Sequence, residues 1–304
     1  MNQMKNKTVA FRIRDACYLL LTVAPMVVGM ILKILLSPPT EGISITGAQI
    51  YFTVSMPLQP WYVTESQVNS ALVILSILGL CLYLTHGIRA RVRTRRQLLA
   101  EWMVEKLNGM VEENMGDYFA GFGPFIAAIL ALSAFSSLSS LLGLYPPTSD
   151  INITAGWAIL VFVLITYYKM KGGLWHYIKS YGDPVPVLAP MNLISEVATP
   201  VSMAFRHYGN ILSGTIVSVL VASGLAGLSE KVFGWLPGFL GEFPFLRVGI
   251  PALLSVYFDV FSGCLQAYIF AVLTMLYVSN GFPQDEFEKR RCRRLEKKKK
   301  LQEN

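Results

Sequence analysis

Three ionisable residues lie inside stretches that are otherwise apolar enough to cross a membrane. Glu196 and Arg206 belong to the stretch Val187–Leu228, and Asp259 belongs to Val248–Asn280. A charge at the centre of a membrane helix costs about 2.5–3.5 kcal/mol on insertion scales, so such residues are candidates for function. A guanidinium group cannot lower this cost by losing its proton, which makes Arg206 the strongest candidate. The chemistry open to these groups is ion transfer or the pairing of charges within the membrane.

Polar residues accompany these charges at helical spacing. In the first stretch they recur every three or four residues, which puts them on one face of a helix; they are Asn192, Ser195, Thr199, Ser202, Arg206, Asn210 and Ser213. The second stretch has a similar face, formed by Ser255, Asp259, Ser262 and Gln266. Polar faces can simply join helices through hydrogen bonds. The fixed charge of Arg206 favours the other interpretation, in which the two faces line a hydrated path for ions.

The composition is typical of a polytopic membrane protein. Of 304 residues, 53% are hydrophobic and only 15% are charged, against about 25% charged in ordinary soluble domains. These values argue against a soluble enzyme and against a disordered chain. The net charge of +7 comes from the tail, where residues 289–300 hold nine bases and one acid. Such a tail suits anionic lipid headgroups, and nucleic-acid binding is not expected.

The hydropathy pattern predicts an all-α protein with six hydrophobic helices and one amphipathic surface helix. The apolar segments are Ala16–Leu36, Val68–His86, Phe122–Leu144, Ile153–Tyr168, Val187–Leu228 and Val248–Asn280, and the surface helix is Gln97–Met115. The stretch Pro38–Glu65 shows no strong period. The fifth segment would be about 60 Å long as one helix, roughly twice the hydrocarbon core. It is therefore a hairpin or a tilted helix, and tilt is the simpler explanation for both of the last two segments.

Basic residues indicate the orientation. Segments 89–96, 169–179 and 289–300 are basic and fall on one side, which the positive-inside rule assigns to the cytoplasm. The first segment follows several bases and no clear cleavage site follows it, so we expect a retained span with a cytoplasmic N-terminus. We divide the chain into an anchor span and outer segment (1–66), a membrane domain (67–280) and a basic cytoplasmic tail (281–304).

Three blocks resemble subunit a of F-type ATP synthases. Residues 190–210, PMNLISEVATPVSMAFRHYGN, are similar to its signature N-L-I-x-E-x-x-x-P-x-S-x-x-x-R-x-x-G-N. Residues 265–270, LQAYIF, continued by Leu273, Thr274 and Tyr277, form a second block. Residues 147–154, PTSDINIT, resemble the turn before the third helix of that family. The order and spacing agree, and the resemblance covers roughly residues 40–280.

The resemblance implies a stator subunit with two half-channels beside a rotating ring of c subunits. Arg206 would attract the carboxylate of each passing c subunit and block leakage between the half-channels. Asn210 and Gln266 would shape the path, and Asn192, Glu196, Ser202, Ser262 and Asp259 would complete it. The implied partners are the c-ring, the b-subunit stator stalk and the rest of the F-type ATP synthase. The implied location is a bacterial plasma membrane.

The sequence departs from the family pattern near the arginine. His207 stands where leucine is common, and Tyr208 stands where phenylalanine is common. Thr215 replaces a glutamate of some members, so Asp259 is expected to supply the half-channel acid. His207 could relay protons, but it lies beside the Arg206 face, so a packing role is favoured.

Several alternatives stay open. A proton is the expected ion, and a Na⁺-translocating version of the same subunit is the alternative. A secondary transporter would be expected to show an internal repeat, which we do not find. An intramembrane hydrolase needs a nucleophile–base pair or a metal motif, and the three histidines form neither. No cofactor or metal site is expected, because the four cysteines form no ligand pattern and no G-x-x-x-x-G-K-[ST] segment occurs.

Overall fold

A computed structural model describes residues 2–36, 47–57, 59–88, 94–182, 185–233 and 245–292. Parts of two predicted basic segments, Arg89–Arg93 and 293–304, lie outside the described residues. The beginning of the stretch Pro38–Glu65 also lies outside them.

Nine α-helices and one hairpin make up the described chain. The helices are α1 (Asn2–Leu36), α2 (Glu65–Thr85), α3 (Arg95–Met115), α4 (Gly123–Leu138), α5 (Ile151–Met170), α6 (Leu174–Ser180), α7 (Ala189–Phe233), α8 (Phe245–Ser255) and α9 (Gly263–Asn280). A π-helical turn, Val256–Ser262, joins α8 to α9. Short 3-10 turns cover Asp117–Phe122, Ser139–Leu142, Pro147–Ser149 and Pro186–Leu188.

Six helical segments of the described chain are long and apolar enough to cross a membrane. They are Phe11–Leu36, Glu65–Thr85, Asp117–Leu142, Ile151–Met170, Pro186–Val232 and Gly249–Asn280. The predicted class, an all-α polytopic membrane protein with six hydrophobic helices, is confirmed. The predicted surface helix is α3, which has mixed charges and an exposed apolar face that includes Leu99, Trp102 and Met103.

The long fifth segment is one helix rather than a hairpin. Helix α7 has 45 residues, so its length is about 68 Å at 1.5 Å per residue. A helix of this length fits a hydrocarbon core of about 30 Å only if it is strongly inclined or extends beyond the core. The sixth segment is α8 and α9 with the π turn between them.

Three features differ from the sequence-based prediction, and the first is α6, which begins within the segment 169–179 that was predicted only as a basic loop. Strands β1 (Ile50–Val54) and β2 (Trp61–Thr64) form an antiparallel pair in the region where no element was predicted. The period-2 signal is weak there because apolar residues occupy both faces of these short strands. The π turn was also missed, and it contains Asp259 and Ser262. One extra residue per turn rotates the polar face of the sixth segment relative to a regular helix.

Local side chains and glycines set several helix ends. The Thr94 hydroxyl accepts a hydrogen bond from the Gln97 amide (3.3 Å) at the start of α3. The Asp150 carboxylate accepts one from the Asn152 amide (2.9 Å) at the start of α5. Gly116 and Gly143 adopt positive φ after α3 and after the Ser139–Leu142 turn, a conformation that glycine allows at little cost.

The hydrophobic core lies between α3, α4, α5, α7 and α9. Its fully buried members include Ile126 of α4, Val161 of α5, Met203 of α7 and Met275 of α9. Aromatic rings of Phe119, Phe122 and Tyr168 pack at the end of this core that lies near α6. The core therefore holds the middle of α7 against α4, α5 and α9 and leaves its opposite face uncovered by the described chain.

Helix α1 packs closely on α2. A Cβ atom placed on Gly79 would lie 2.6 Å from the Thr22 backbone nitrogen and 2.7 Å from the Leu21 carbonyl carbon. Small residues permit such close approach between membrane helices, where dispersion contacts replace the hydrophobic effect as the cause of association.

Candidate functional site

The polar face predicted for the fifth segment, the polar stripe of α7, points away from the core. Ser195, Ser202, Arg206 and Ser213 are exposed, whereas Met203 and Ala204 on the opposite face are 2% and 5% exposed. The exposed face also carries Val201 and Phe205. The stripe and its apolar neighbours thus form a surface of mixed character along the open side of α7.

Arg206 lies in the middle of this open face without a partner from the described chain. It makes no hydrogen bond or ion pair with any residue that the structure describes, and its side chain is exposed. It is the eighteenth residue of α7, about 26 Å from the first residue of that helix at 1.5 Å per residue. A permanent cation at this depth needs a counter-charge, because an uncompensated charge in lipid is costly. The structure leaves space beside Arg206 for a second molecule to supply it.

Asn210 joins α7 to the π turn. The Ser262 hydroxyl donates to Asn210 Oδ1 (2.7 Å), and Asn210 Nδ2 donates to the Ser262 backbone oxygen (3.4 Å). One turn further, a Cβ atom on Gly214 would lie 3.0 Å from the Phe258 ring. The two predicted polar faces therefore meet directly at Asn210 and Ser262, one turn from Arg206.

His207 points into the core, away from the open face. It is 1% exposed, its Nε2 lies 3.2 Å from the Ser133 hydroxyl, and the Trp157 and Phe270 rings contact its own ring edge to face. Its Nδ1 is buried and has no hydrogen-bond partner in the described chain. Successive helical residues differ by about 100°, which separates His207 from the direction of Arg206.

Asp259 and Gln266 lie on the other long segment. Asp259 is partly buried in the π turn and lies close to Ser140 of the Ser139–Leu142 turn. Gln266 is 7% exposed and lies one turn after Ser262 on α9. Asp259 therefore belongs to the region where α4, α7 and the π turn converge.

Glu196 lies at a separate place, near the start of α7. Its Oε1 is 3.1 Å from Lys169 Nζ and 3.3 Å from the Tyr177 hydroxyl. Asn192 donates to the Tyr181 backbone oxygen (2.9 Å) and ties α7 to the end of α6. Burial, followed by the hydrogen bond to Glu196, raises the pKa of Tyr181, so its hydroxyl stays protonated and able to donate.

A second buried polar cluster lies at the opposite end of the helices. Lys33 of α1 donates to the Gly143 oxygen (2.5 Å) and lies 3.6 Å from Glu65 Oε1. Ser66 donates to Asp150 Oδ2 (2.5 Å), and Asn69 donates to the Tyr145 oxygen (2.9 Å). Burial and the neighbouring Glu65 raise the pKa of Tyr51 to about 12.

Sequence reasoning selected Arg206, Asn210, Ser262, Asp259 and Glu196 from charge and spacing. It missed the groups that surround them, which are Ser133, Ser140, Lys169, Tyr177 and Tyr181. Lys169 was assigned only to a basic loop, because its partner is 27 residues away in sequence. The one available signal was Glu196 itself, since a buried carboxylate predicts a cation nearby.

These features define a polytopic membrane protein that presents an unpaired arginine, among the described residues, on the open face of a helix too long for one upright span. The chain belongs to the ATP synthase A chain family, whose model matches residues 68–279. It is therefore a membrane-embedded subunit of the F-type ATP synthase complex, with a role in ion transport and ATP synthesis and without catalytic activity of its own.

Curated relatives carry the same family name. The ATP synthase subunit a of Acidothermus cellulolyticus is 34% identical over 212 residues, which cover 66% of this chain and 70% of the relative. That of Desulforamulus reducens is 32% identical over 231 residues, covering 72% and 82%. That of Staphylococcus carnosus is 30% identical over 230 residues, covering 71% and 88%.

Proposed function

We propose that this chain is the proton-translocating stator of the membrane sector, working against a rotating ring of c subunits in a bacterial plasma membrane. The observation that carries this proposal is Arg206, exposed midway along α7 and unpaired within the described chain. A partner with a carboxylate in the membrane would supply the missing counter-charge, and each c subunit of the implied ring brings one. The open face of α7 is therefore the ring-facing surface, and the b-subunit stalk holds this chain against rotation.

Arg206 performs two tasks in this proposal. Its charge favours the deprotonated carboxylate of the arriving c subunit, so that the proton is given up on one side of the arginine. The same charge repels a cation that would pass straight along the stripe. Because a guanidinium group keeps its proton, neither effect is lost as the ion passes.

The polar groups on either side of Arg206 line the two half-channels of this proposal. Asn210, Ser262, Gln266 and Asp259 lie where α7 meets the second long segment, and they line one path. Glu196, Asn192 and Ser202 lie toward the start of α7 and belong to the other. The start of α7 is near the basic residues of α5 and α6, so this second path opens on the cytoplasmic side.

The test is proton transport by the assembled enzyme. Arg206→Ala should abolish ATP-driven proton pumping and proton-driven ATP synthesis in membrane vesicles, whereas the detached ATPase sector should keep its hydrolytic activity. Val201→Ala, on the same exposed face, is the control for loss of side-chain volume and should pump normally. Retained coupling in Arg206→Ala would refute the proposal. Pumping that requires Na⁺ and resists a protonophore would instead assign Na⁺ as the ion.

A further inference from the structure

Glu196 is held in a cage of side chains that come from α5, from α6 and from Tyr181, which directly follows α6. Lys169 of α5 provides the ion pair at 3.1 Å, with the Glu196 side chain 6% exposed and that of Lys169 29% exposed. From α6, the Tyr177 hydroxyl lies 3.3 Å from Glu196 Oε1 and 2.5 Å from the Tyr181 hydroxyl. In the described part of the chain, Lys169, Tyr177 and Tyr181 are the titratable groups that contact Glu196.

One oxygen of this buried carboxylate is left over. Glu196 Oε2 is buried and has no hydrogen-bond partner among the described residues. A buried carboxylate oxygen without a hydrogen-bond partner is costly, so its presence in a folded protein calls for an explanation. Lys169 supplies the counter-charge at Oε1, so the second oxygen is free to accept a proton or a hydrated cation.

Packing and hydrogen bonds also hold the residues of this cage in place. The aliphatic part of Lys169 packs beneath Gly281 at the end of α9, where a Cβ atom would lie 3.1 Å from Lys169 Cγ. The Asn192 amide holds the end of α6 through the Tyr181 backbone oxygen. Contacts with α5, with α6 and with the end of α9 therefore determine where the Glu196 carboxylate of α7 lies.

We infer that Lys169 is a positioning residue, which holds the Glu196 carboxylate at Oε1 and orients its free Oε2 as the acceptor for protons on the cytoplasmic path. This inference rests on the proposed function. The matched comparison is Lys171, two residues further on, whose Nζ lies over the Tyr167 and Tyr168 rings at 5.1 and 4.5 Å from their centroids. It provides the same charge near the same surface and does not contact Glu196.

The experiment uses the complete ATP synthase in liposomes, with ATP-driven proton pumping measured against the pH of the ATP side. In Lys169→Met, Glu196 Oε1 loses the cation that lies 3.1 Å away, so the carboxyl group is no longer held in place. We expect the alkaline limb of the profile to move by about one pH unit, which is a tenfold change in the proton concentration that sustains half-maximal pumping. Lys169→Arg and Lys171→Met should follow the wild-type profile. On a Glu196→Gln background, Lys169→Met should produce no further shift.

Two results would overturn the inference. One is a Lys169→Met profile that coincides with that of Lys171→Met, and the other is a shift that persists on the Glu196→Gln background. If Lys169→Met fails to assemble, the double variant Lys169→Met with Glu196→Gln decides, because it removes both charges. Recovered assembly would show that the buried charge needs Lys169, and failed assembly would leave Lys169 a purely structural residue. The proposed function is tested separately, because the outcome for Arg206→Ala does not depend on Lys169.

Discussion

Arg206 and His207 are adjacent in sequence and point to opposite environments. The arginine side chain is exposed on the open face of α7, whereas the histidine is 1% exposed and lies 3.2 Å from the Ser133 hydroxyl. The helix thereby separates two functions at consecutive positions. In the proposed function Arg206 faces the partner, and His207 connects α7 to α4 through Ser133.

This arrangement predicts that His207 contributes to stability rather than to ion transfer. His207→Ala should destabilise the fold by about 2–4 kcal/mol, because it leaves a cavity between Trp157 and Phe270 and removes the partner of Ser133. The measurement is the thermal unfolding midpoint of the detergent-purified complex. Any assembled His207→Ala enzyme should keep the wild-type pH profile of pumping, and an altered profile with unchanged stability would instead make His207 a proton relay.

Composition and periodicity were sufficient to predict the membrane helices, the surface helix and three charged residues of the site, which are Glu196, Arg206 and Asp259. The six apolar segments, the surface helix and the great length of the fifth segment follow directly from hydropathy and the rise of an α-helix. The stripe containing Arg206 and Asn210 follows from spacing by three and four. Its exposure could not be predicted, since periodicity defines a face but does not say what covers it.

Features that depend on contacts distant in sequence escaped prediction. The pair Lys169–Glu196 and the proximity of Ser140 to Asp259 involve different segments of the chain, and the residue types alone do not identify these partners. The π turn at Val256–Ser262 rests on a backbone irregularity for which the sequence has no strong signal. The hairpin was missed because short strands with apolar residues on both faces lack alternation.

Asp259 is predicted to lie on the ion path. Asp259→Asn keeps the size and hydrogen-bonding capacity of the side chain next to Ser140 and removes its ability to exchange a proton. The enzyme should therefore assemble normally and pump protons more slowly. The initial rate of ATP-driven acidification in vesicles, normalised to the amount of assembled enzyme, is the measurement. A rate equal to that of the wild type would place Asp259 outside the path.

The close contact of α1 with α2 predicts opposite effects for two glycine substitutions. Gly79→Ala would place a methyl group 2.6 Å from the α1 backbone, which should destabilise the packing by about 1–3 kcal/mol. Gly156→Ala on α5 is the control, because no atom of the described chain, apart from its chain neighbours and the local helix backbone, lies within 4 Å of the place that its Cβ would take. The higher helix propensity of alanine should make this second change neutral or slightly stabilising.

Thermal unfolding of the purified complexes distinguishes these two variants. We expect a lower unfolding midpoint for Gly79→Ala and an unchanged or higher midpoint for Gly156→Ala. Equal midpoints would mean that α1 does not pack against α2 through Gly79.

Cross-linking between the open face of α7 and the c subunit is the most direct test of the central claim, which is that this face lies against the rotor. The four native cysteines, which are exposed, would be replaced by serine, and one cysteine would be placed a turn away from the ion-binding carboxylate of the c subunit. Ser202→Cys lies one turn from Arg206 on the exposed face, and Ala204→Cys, at a position 5% exposed, is the matched control. A ring-facing α7 predicts disulfide formation with the c subunit for Ser202→Cys and none for Ala204→Cys. Cross-linking absent from Ser202→Cys in a complex that contains the ring and pumps protons would contradict it.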